Sequence, residues 1–177
     1  GIKAFGGNIV LHGYTSPERF KKLEEIREEK GYTLVHPFDD LEVAAGQGTI
    51  GLEIMEDLED VDAVVVPMSG GGLMAGVSTA IKEKKPHTKV IGIETEAMPR
   101  YFESRKAGKP VEIPIKNTIA DALKNNKPGK NNYPIIEKNV DEIYTVTDEA
   151  IRHAAKQILF QTKLLVEPSA AVGIAAA

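Results

Sequence analysis

The sequence predicts an α/β fold with a mostly parallel sheet and helices on both of its faces. Residues 62–67 form a continuous apolar run, which is typical of a strand buried on both faces of a parallel sheet. Helical spacing follows from residue 73 to about residue 84, and residues 89–94 are again strand-like. Residues 62–94 therefore have the length and pattern of one βαβ unit, and the alternation of strands and helices on either side favours the same class.

Upstream of this unit the pattern predicts two more strands and two helices. Residues 8–13 are a short apolar run that ends in glycine, and apolar residues at helical spacing follow until Gly31, a residue type common at helix C-termini. Residues 32–36 predict the second strand, which Pro37 closes. From Thr49 onward apolar positions return at helical spacing, which predicts the second helix.

Downstream of the unit the pattern is at first less regular. A polar helix is predicted over residues 101–107, ended by Gly108, and residues 124–132 are rich in Asn and Lys, which indicates a surface loop. Residues 142–146 predict a strand. Thr147 then follows as a helix N-cap, with two acidic residues after it at the positive end of the helix dipole.

Composition excludes several classes of function. The 177 residues include 22 Lys and Arg against 26 Asp and Glu, a formal net charge of −4, so the chain lacks the basic surface that nucleic-acid binding requires. No apolar run in the sequence approaches the ~20 residues that a membrane-spanning helix needs. The absence of cysteine excludes disulfides, thiolate metal sites and a cysteine nucleophile, and it fits a cytoplasmic location.

The clearest chemical feature is a glycine run between the strand at residues 62–67 and the helix that follows it. The run reads Ser69, Gly70, Gly71, Gly72 and Leu73. Glycines allow a tight turn and a close approach of a ligand to the backbone, and the free N–H groups and dipole at a helix N-terminus attract an anion such as phosphate. Ordering three consecutive glycines carries an entropic cost, and packing alone rarely requires such a run. The run therefore predicts a phosphate cradle.

Two kinds of phosphate ligand fit this turn. Gly70, Gly72 and Ala75 satisfy the relaxed dinucleotide fingerprint, and Glu94 and Glu96 follow about twenty residues later, where a ribose-binding acid would lie. A nucleotide-binding protein of the Rossmann type is therefore one alternative. The fingerprint is weak on its own, however, and further motifs indicate a different cofactor.

These further motifs match a known enzyme family in order and spacing. They are His36-Pro37-Phe38-Asp39-Asp40, Ala45-Gly46-Gln47-Gly48-Thr49 with Glu53, Thr118-Ile119-Ala120-Asp121-Ala122, Thr145-Val146-Thr147-Asp148-Glu149 and Val166-Glu167-Pro168-Ser169-Ala170-Ala171. Together with the glycine run they resemble the fold-type II pyridoxal-phosphate enzymes, those of the tryptophan synthase β fold. Within that family the motifs resemble the threonine/serine ammonia-lyase and serine racemase group, and the resemblance extends over the whole chain.

The resemblance implies a cofactor, a domain division and a set of binding residues. Pyridoxal 5'-phosphate would be the cofactor, and its phosphate would be held by backbone N–H groups of the glycine run. Glu167 would lie near the pyridine ring, although an acid at a helix N-terminus is an alternative interpretation, and Phe38 and the turn at residues 46–49 would border the active site. Residues 1–37 would belong to the small domain of a two-domain fold, and residues 38–177 to the large cofactor-binding domain, incomplete at its C-terminus.

The resemblance also implies where a divalent cation would bind. In metal-dependent relatives the cation is held by a Glu at the end of the strand that matches residues 89–94, by a carbonyl group, and by a second acid a few residues later. Glu94 matches the first ligand and Met98 would supply the carbonyl, but the second acid position is Arg100. Because a guanidinium and a metal cation repel each other, this departure argues against a metal site.

The largest departure from the family concerns its covalent chemistry. The lysine that forms the Schiff base with the cofactor lies in a Ser-Phe-Lys-x-Arg-Gly type motif, which this sequence does not contain. We therefore expect no catalytic residue in the chain and no turnover of L-threonine by the chain alone, with weak binding of phosphate or free cofactor. The helix predicted after Ser169 is apolar on all sides, which indicates that part of its surroundings lies outside the 177 residues.

The function that these features favour is that of a central fragment of a pyridoxal-phosphate-dependent threonine/serine ammonia-lyase. Such an enzyme converts a hydroxy amino acid to a 2-oxo acid and ammonia by α,β-elimination. The alternatives are a serine racemase-type isomerase of the same family, the Rossmann-type nucleotide-binding protein, and a non-catalytic domain that associates with itself. An amino acid substrate, a homo-oligomer, and no nucleic-acid or membrane partner complete the expectation.

Overall fold

The structure is a computed structural model that describes residues 1–13 and 16–177, with only the backbone described at residues 16 and 17. The described chain divides into two compact units, residues 1–35 and residues 36–177. The first unit contains a 3₁₀ helix over Ile2–Phe5 and α1 over Ser16–Lys30. In the part of the chain that the structure describes, no helix is long and apolar enough to cross a membrane.

The two strands predicted upstream of residue 37 are wrong. Residues 8–13 and 32–36 form neither helix nor strand, and their apolar side chains are largely exposed, with Leu11 91% and Val35 69% accessible. A strand forms only where a neighbouring strand satisfies its backbone hydrogen bonds. Among the described residues neither segment has a strand beside it, so the apolar runs remain irregular.

The second unit alternates strands and helices around one parallel sheet, as predicted. The sheet has the order β1-β2-β3, and both neighbouring pairs are parallel. The elements in chain order are α2 (Leu41–Asp57), β1 (Ala63–Pro67), α3 (Gly72–Lys84), β2 (Lys89–Thr95), α4 (Arg100–Ala107), a 3₁₀ turn (Asp121–Leu123), α5 (Asn132–Asn139), β3 (Glu142–Val146), α6 (Asp148–Thr162) and α7 (Val172–Ala175). The predicted α/β class is confirmed.

Each face of the sheet carries its own apolar cluster, because successive side chains of a strand point to opposite faces. Val90 of β2 belongs to a cluster that includes buried side chains of α3 and α5. Ile93 of the same strand belongs to a second cluster that includes buried side chains of α6 and α7. Helices therefore cover both faces. The sequence pattern predicts that the strand at residues 62–67 is buried on both faces. However, β1 lies at the edge of the sheet, and Val65 is therefore 39% exposed.

The segment at residues 46–49 is helical, and the prediction of a turn there is wrong. The helix begins much earlier because Asp40 caps it. The Asp40 carboxylate accepts hydrogen bonds from the backbone N–H of Glu42 at 2.8 Å and of Val43 at 3.4 Å. The helix α2 therefore begins at Leu41, and residues 46–49 lie inside it.

The buried glycines of α2 let that helix pack closely against α3. A Cβ atom on Gly48 would lie 3.1 Å from the carbonyl oxygen of Gly76, and one on Gly51 would lie 2.9 Å from that of Val77. Glycine at these positions therefore serves helix packing in this structure. The contact fixes α3, whose N-terminus carries the candidate site.

Candidate functional site

The glycine run at residues 69–73, here called the glycine turn, lies where β1 gives way to α3. Crevices for ligands in open α/β sheets form at the carboxyl ends of the strands, and the turn occupies such a position. The first helical bond at this end runs from the N–H of Ala75 to the carbonyl of Gly71, at 2.8 Å. The N–H groups that precede Ala75 in α3 consequently have no acceptor within the helix. Together with the helix dipole they form a donor set for an anion.

Neighbouring aromatic side chains leave no room for a side chain in this turn. A Cβ atom on Gly70 would lie 2.2 Å from Cδ2 of Phe38. Gly71 has φ +100, a conformation that L residues rarely adopt, and its Cβ would lie 2.1 Å from Oη of Tyr101. The glycines are therefore required both by backbone conformation and by close packing.

The carbonyl oxygen of Gly70 is held by three donors. It accepts hydrogen bonds from Oη of Tyr101 at 3.0 Å, from the N–H of Gly129 at 3.0 Å and from Nδ2 of Asn132 at 3.2 Å. In a trans peptide the carbonyl and the following N–H point in opposite directions, and none of the described peptide bonds is cis. The N–H of Gly71 therefore points away from these three donors and is available to a ligand.

The motif that begins at His36 contacts the N-terminus of α5. The Asp39 carboxylate accepts from the backbone N–H of Lys130 at 2.9 Å and of Asn131 at 2.8 Å, and Nδ2 of Asn132 donates to the Phe38 carbonyl at 2.8 Å. The sequence pattern predicts only a surface loop over residues 124–132. It therefore misses the start of α5, for which Asp39 was the available signal, and the role of Asn132, for which the local pattern carries no signal.

Arg100 lies at the place where the resemblance puts a cation. Its Nη2 donates to the Met98 carbonyl at 2.6 Å, and its Nη1 lies 3.5 Å from Oε1 of Glu94. Both side chains are fully buried. No cluster of three or more His, Asp or Glu side chains suited to a metal ion occurs among the described residues. Glu94 and Met98 therefore do not fit a divalent cation in this chain.

Glu94 caps α4 from the end of β2. Its carboxylate accepts from the backbone N–H of Tyr101 at 3.0 Å and of Phe102 at 2.8 Å. Burial raises the pKa of Glu94 to about 7, while the positive charge of Arg100 and the backbone donors act in the opposite direction. Since both oxygens are engaged and buried, Glu94 is not free to bind a ribose, which argues against the nucleotide-binding alternative.

We expect Glu94→Gln to change how stability depends on pH. Because the pKa of Glu94 is raised from 4.5 to about 7 on folding, its contribution to stability is fully present below about pH 4.5 and is lost as the pH rises to about 7. The wild-type minus Gln difference in unfolding free energy should therefore fall by on the order of 3 kcal/mol from pH 5 to pH 8. Urea denaturation at both pH values measures it.

The matched control for this pair of measurements is Glu96→Gln, which alters an exposed acid just beyond β2. A wild-type minus Glu94→Gln difference that stays constant between the two pH values would contradict the raised pKa.

Glu167 lies apart from these contacts. It is exposed, in a segment that is neither helix nor strand, and its carbonyl accepts from the N–H of Ala170 at 3.0 Å. The helix α7 begins only at Val172, so Glu167 is not in its first turn. Within the described residues no hydrogen bond or ion pair joins Glu167 to the glycine turn, and its place beside a pyridine ring stays a prediction.

Comparison with known proteins assigns this fold and turn to a family. The family described as pyridoxal-phosphate dependent enzyme matches residues 1–177. The chain belongs to this family. The family's enzymes depend on pyridoxal phosphate, which agrees with the cofactor that the motifs predict.

Curated relatives within the pyridoxal-phosphate dependent enzymes are similar over nearly the whole chain. The L-threonine ammonia-lyase of Geobacter sulfurreducens is 46% identical over 172 residues, which are 97% of this chain and 43% of the relative. The catabolic L-threonine dehydratase of Staphylococcus aureus is 40% identical over 174 residues, 98% of this chain and 50% of the relative. The chain thus spans about half the length of the curated relatives it matches.

Solved structures of the same family superimpose closely. Maize serine racemase has a TM-score of 0.95 at 36% identity, covering 98% of this chain and 53% of the racemase. The processed threonine deaminase isoform 2 of Solanum lycopersicum has a TM-score of 0.94 at 36% identity, covering 99% of this chain and 51% of the deaminase. The fold is therefore that of fold-type II pyridoxal-phosphate enzymes.

Proposed function

We propose that this chain forms the phosphate-binding part of a pyridoxal-phosphate-dependent threonine/serine ammonia-lyase. The glycine turn carries the proposal, because its N–H groups have no acceptor among the described residues and its shape is fixed by Tyr101 and Asn132. When bound, the cofactor supplies an electron sink for the negative charge that develops at Cα of an amino acid. The 46% identity to an L-threonine ammonia-lyase supports a hydroxy amino acid as the substrate.

Each part of the turn has a distinct role in this proposal. The backbone N–H groups of Ser69, Gly70, Gly71, Gly72 and Leu73 donate to the phosphate oxygens. The α3 dipole favours the dianion, and the absence of Cβ atoms at Gly70 and Gly71 lets Phe38 and Tyr101 pack directly against the turn. Tyr101 and Asn132 hold the Gly70 carbonyl and so keep the next N–H directed at the ligand. Glu167 is proposed to lie near the pyridine ring, and none of the chain's lysines is proposed to bond to the cofactor.

A titration that separates the phosphate from the ring tests this proposal. We expect saturable binding of pyridoxal phosphate, followed by absorbance and by phosphorus-31 NMR, and competition by inorganic phosphate. Pyridoxal without its phosphate, the matched control ligand, should bind at least about tenfold more weakly, since it lacks the charge-assisted hydrogen bonds. Equal binding of pyridoxal, or saturable binding of NAD alone, would contradict the proposal. We expect no ammonia release from L-threonine by the chain alone.

The close superposition on maize serine racemase supports a second candidate, an isomerase of the same family. The two reactions share removal of the α-proton from an amino acid and differ in the next step. The lyase loses the β-hydroxyl, whereas the isomerase returns a proton to the opposite face. Incubation of the intact enzyme with L-serine distinguishes them, because the first gives a 2-oxo acid and the second gives D-serine.

Three further assignments are proposals of the same kind. Residues 1–37 are proposed to belong to the small domain and residues 38–177 to the large cofactor-binding domain. Self-association is supported by exposed apolar side chains after the middle of α6, among them Phe160 at 69% and Leu165 at 87% accessibility. A cytoplasmic location is supported by the absence of cysteine from the sequence.

A further inference from the structure

The guanidinium of Arg100 lies in a cage of oxygen atoms. Its Nη1 donates to the carbonyl of Met68 at 3.1 Å, and its Nη2 donates to those of Met98 at 2.6 Å and Leu123 at 2.7 Å. The Glu94 carboxylate lies 3.5 Å from Nη1. Both charged side chains are fully buried.

This donor set is that of a metal site. Carbonyl and carboxylate oxygens are the ligands that Ca²⁺ and Mg²⁺ prefer. A guanidinium is also a cation, and its planar fork of N–H groups reaches several oxygens at once. Two cations cannot share the cage, because their repulsion at a few ångströms is strong in a buried environment.

We propose that Arg100 is a built-in cation that takes the place of a bound metal ion in this oxygen cage and positions the glycine turn without one. The cage joins four separate parts of the second unit: the residue after β1, the end of β2, the segment before α4, and the 3₁₀ turn Asp121–Leu123. A metal ion in such a place could be removed by a chelator, whereas a side chain of the protein cannot.

The position of Arg100 explains how it acts on the candidate site. It holds the carbonyl of Met68, and the next residue, Tyr101, donates to the carbonyl of Gly70 at 3.0 Å. Two consecutive residues of α4 thus fix the carbonyls on either side of Ser69. This role does not depend on which anion the glycine turn binds. The proposal about Arg100 is therefore tested separately from the proposed function.

Thermal unfolding of the wild type with different cations is the first test. We expect millimolar Mg²⁺, Ca²⁺ or Mn²⁺, or a chelator, to shift the melting temperature by less than about 1 °C. A saturable increase in the wild type would overturn the proposal, because it would place a metal ion beside the guanidinium.

The decisive variant is Arg100→Asp, which leaves the cage without its cation and adds a second carboxylate. We expect it to be destabilised in chelator and to be stabilised saturably by a divalent cation, by on the order of 5 to 10 °C at saturation. Combining it with Glu94→Gln removes one carboxylate and should raise the Mn²⁺ concentration needed at least about tenfold. Direct Mn²⁺ binding is followed by electron paramagnetic resonance.

A variant without either charge is the matched control for the cation response of Arg100→Asp. Glu94→Leu combined with Arg100→Met replaces the buried pair by apolar side chains, a change that is often tolerated, and it should melt at the same temperature with and without cations. If Arg100→Asp is unfolded in chelator, recovery of its helical circular dichroism on addition of Ca²⁺ is the expected result. No cation response from Arg100→Asp, folded or unfolded, would overturn the proposal.

Discussion

Gly76→Ala is expected to be among the most destabilising single-methyl changes in this chain. A Cβ atom at this position would lie 2.0 Å from the carbonyl oxygen of Ala44 and 2.6 Å from the backbone N of Gly48. Both atoms belong to the backbone of α2, so no side-chain rotation relieves the overlap and the two helices must separate. Overpacking ordinarily costs about 1–3 kcal/mol, and we expect about 3 kcal/mol or more here because backbone must move.

The matched control is Gly46→Ala, in helix α2, against which α3 packs. Apart from its own stretch of helix, no part of the described chain lies within 4 Å of the added methyl, and residue 46 is exposed. Alanine in an exposed helix interior is favoured over glycine by about 0.5–1 kcal/mol, so this variant should be slightly more stable than the wild type. Urea denaturation of both variants gives the comparison. Equal stabilities would contradict the close packing of α2 against α3.

The elements that the sequence predicts correctly are those with local signals. The strand at residues 142–146 is β3, and the N-cap assigned to Thr147 is present, with its Oγ1 accepting from the N–H of Ala150 at 3.1 Å. Gly108 ends α4 with φ +65, as its place after a polar helix predicts. Each of these signals acts within a few residues, so no knowledge of the rest of the fold is needed.

The wrong predictions depend on partners distant in the chain. An apolar run such as residues 8–13 is compatible with a strand, but only a neighbouring strand makes it one. Glycine occurs both in turns and at close helix contacts, so the residue type at positions 46 and 48 does not distinguish the two. The structure assigns Gly48 to helix packing because Gly76 lies opposite.

The candidate site likewise contains a part that local signals predict and a part that depends on distant residues. The glycine turn is predicted from adjacent residues, whereas the side chains that hold it come from far along the chain. Tyr101 and Asn132 are 31 and 62 residues from Gly70, and nothing in their local pattern indicates these contacts. A fully buried arginine is rare, so the residue type of Arg100 does not predict its burial. Its only signal is its occurrence where an acid is expected.

Gly71→Ala is expected to disable the glycine turn. Its φ of +100 costs about 1–2 kcal/mol for an L residue, and the Cβ would lie 2.1 Å from Oη of Tyr101 and 2.9 Å from Cδ1 of Ile136. Relief requires Tyr101 to move, which breaks its hydrogen bond to the Gly70 carbonyl and turns the adjacent N–H away from the ligand. We expect the dissociation constant for pyridoxal phosphate to rise by about tenfold or more, as loss of one hydrogen bond to a charged group implies.

Gly108→Ala is the control that separates the cost of a positive φ from the steric overlap with Tyr101. Its φ of +65 also lies in the left-handed region, but among the described residues only its chain neighbours come within 4 Å of the added methyl. The variant should therefore lose about 1 kcal/mol of stability and keep its phosphate affinity. Adding Tyr101→Phe to Gly71→Ala removes the colliding oxygen and leaves the ring carbon Cζ at 2.9 Å, which should restore part of the stability. It should not restore phosphate affinity, because the hydrogen bond to Gly70 stays lost. If Gly71→Ala bound phosphate as well as Gly108→Ala does, the turn would not be the phosphate site.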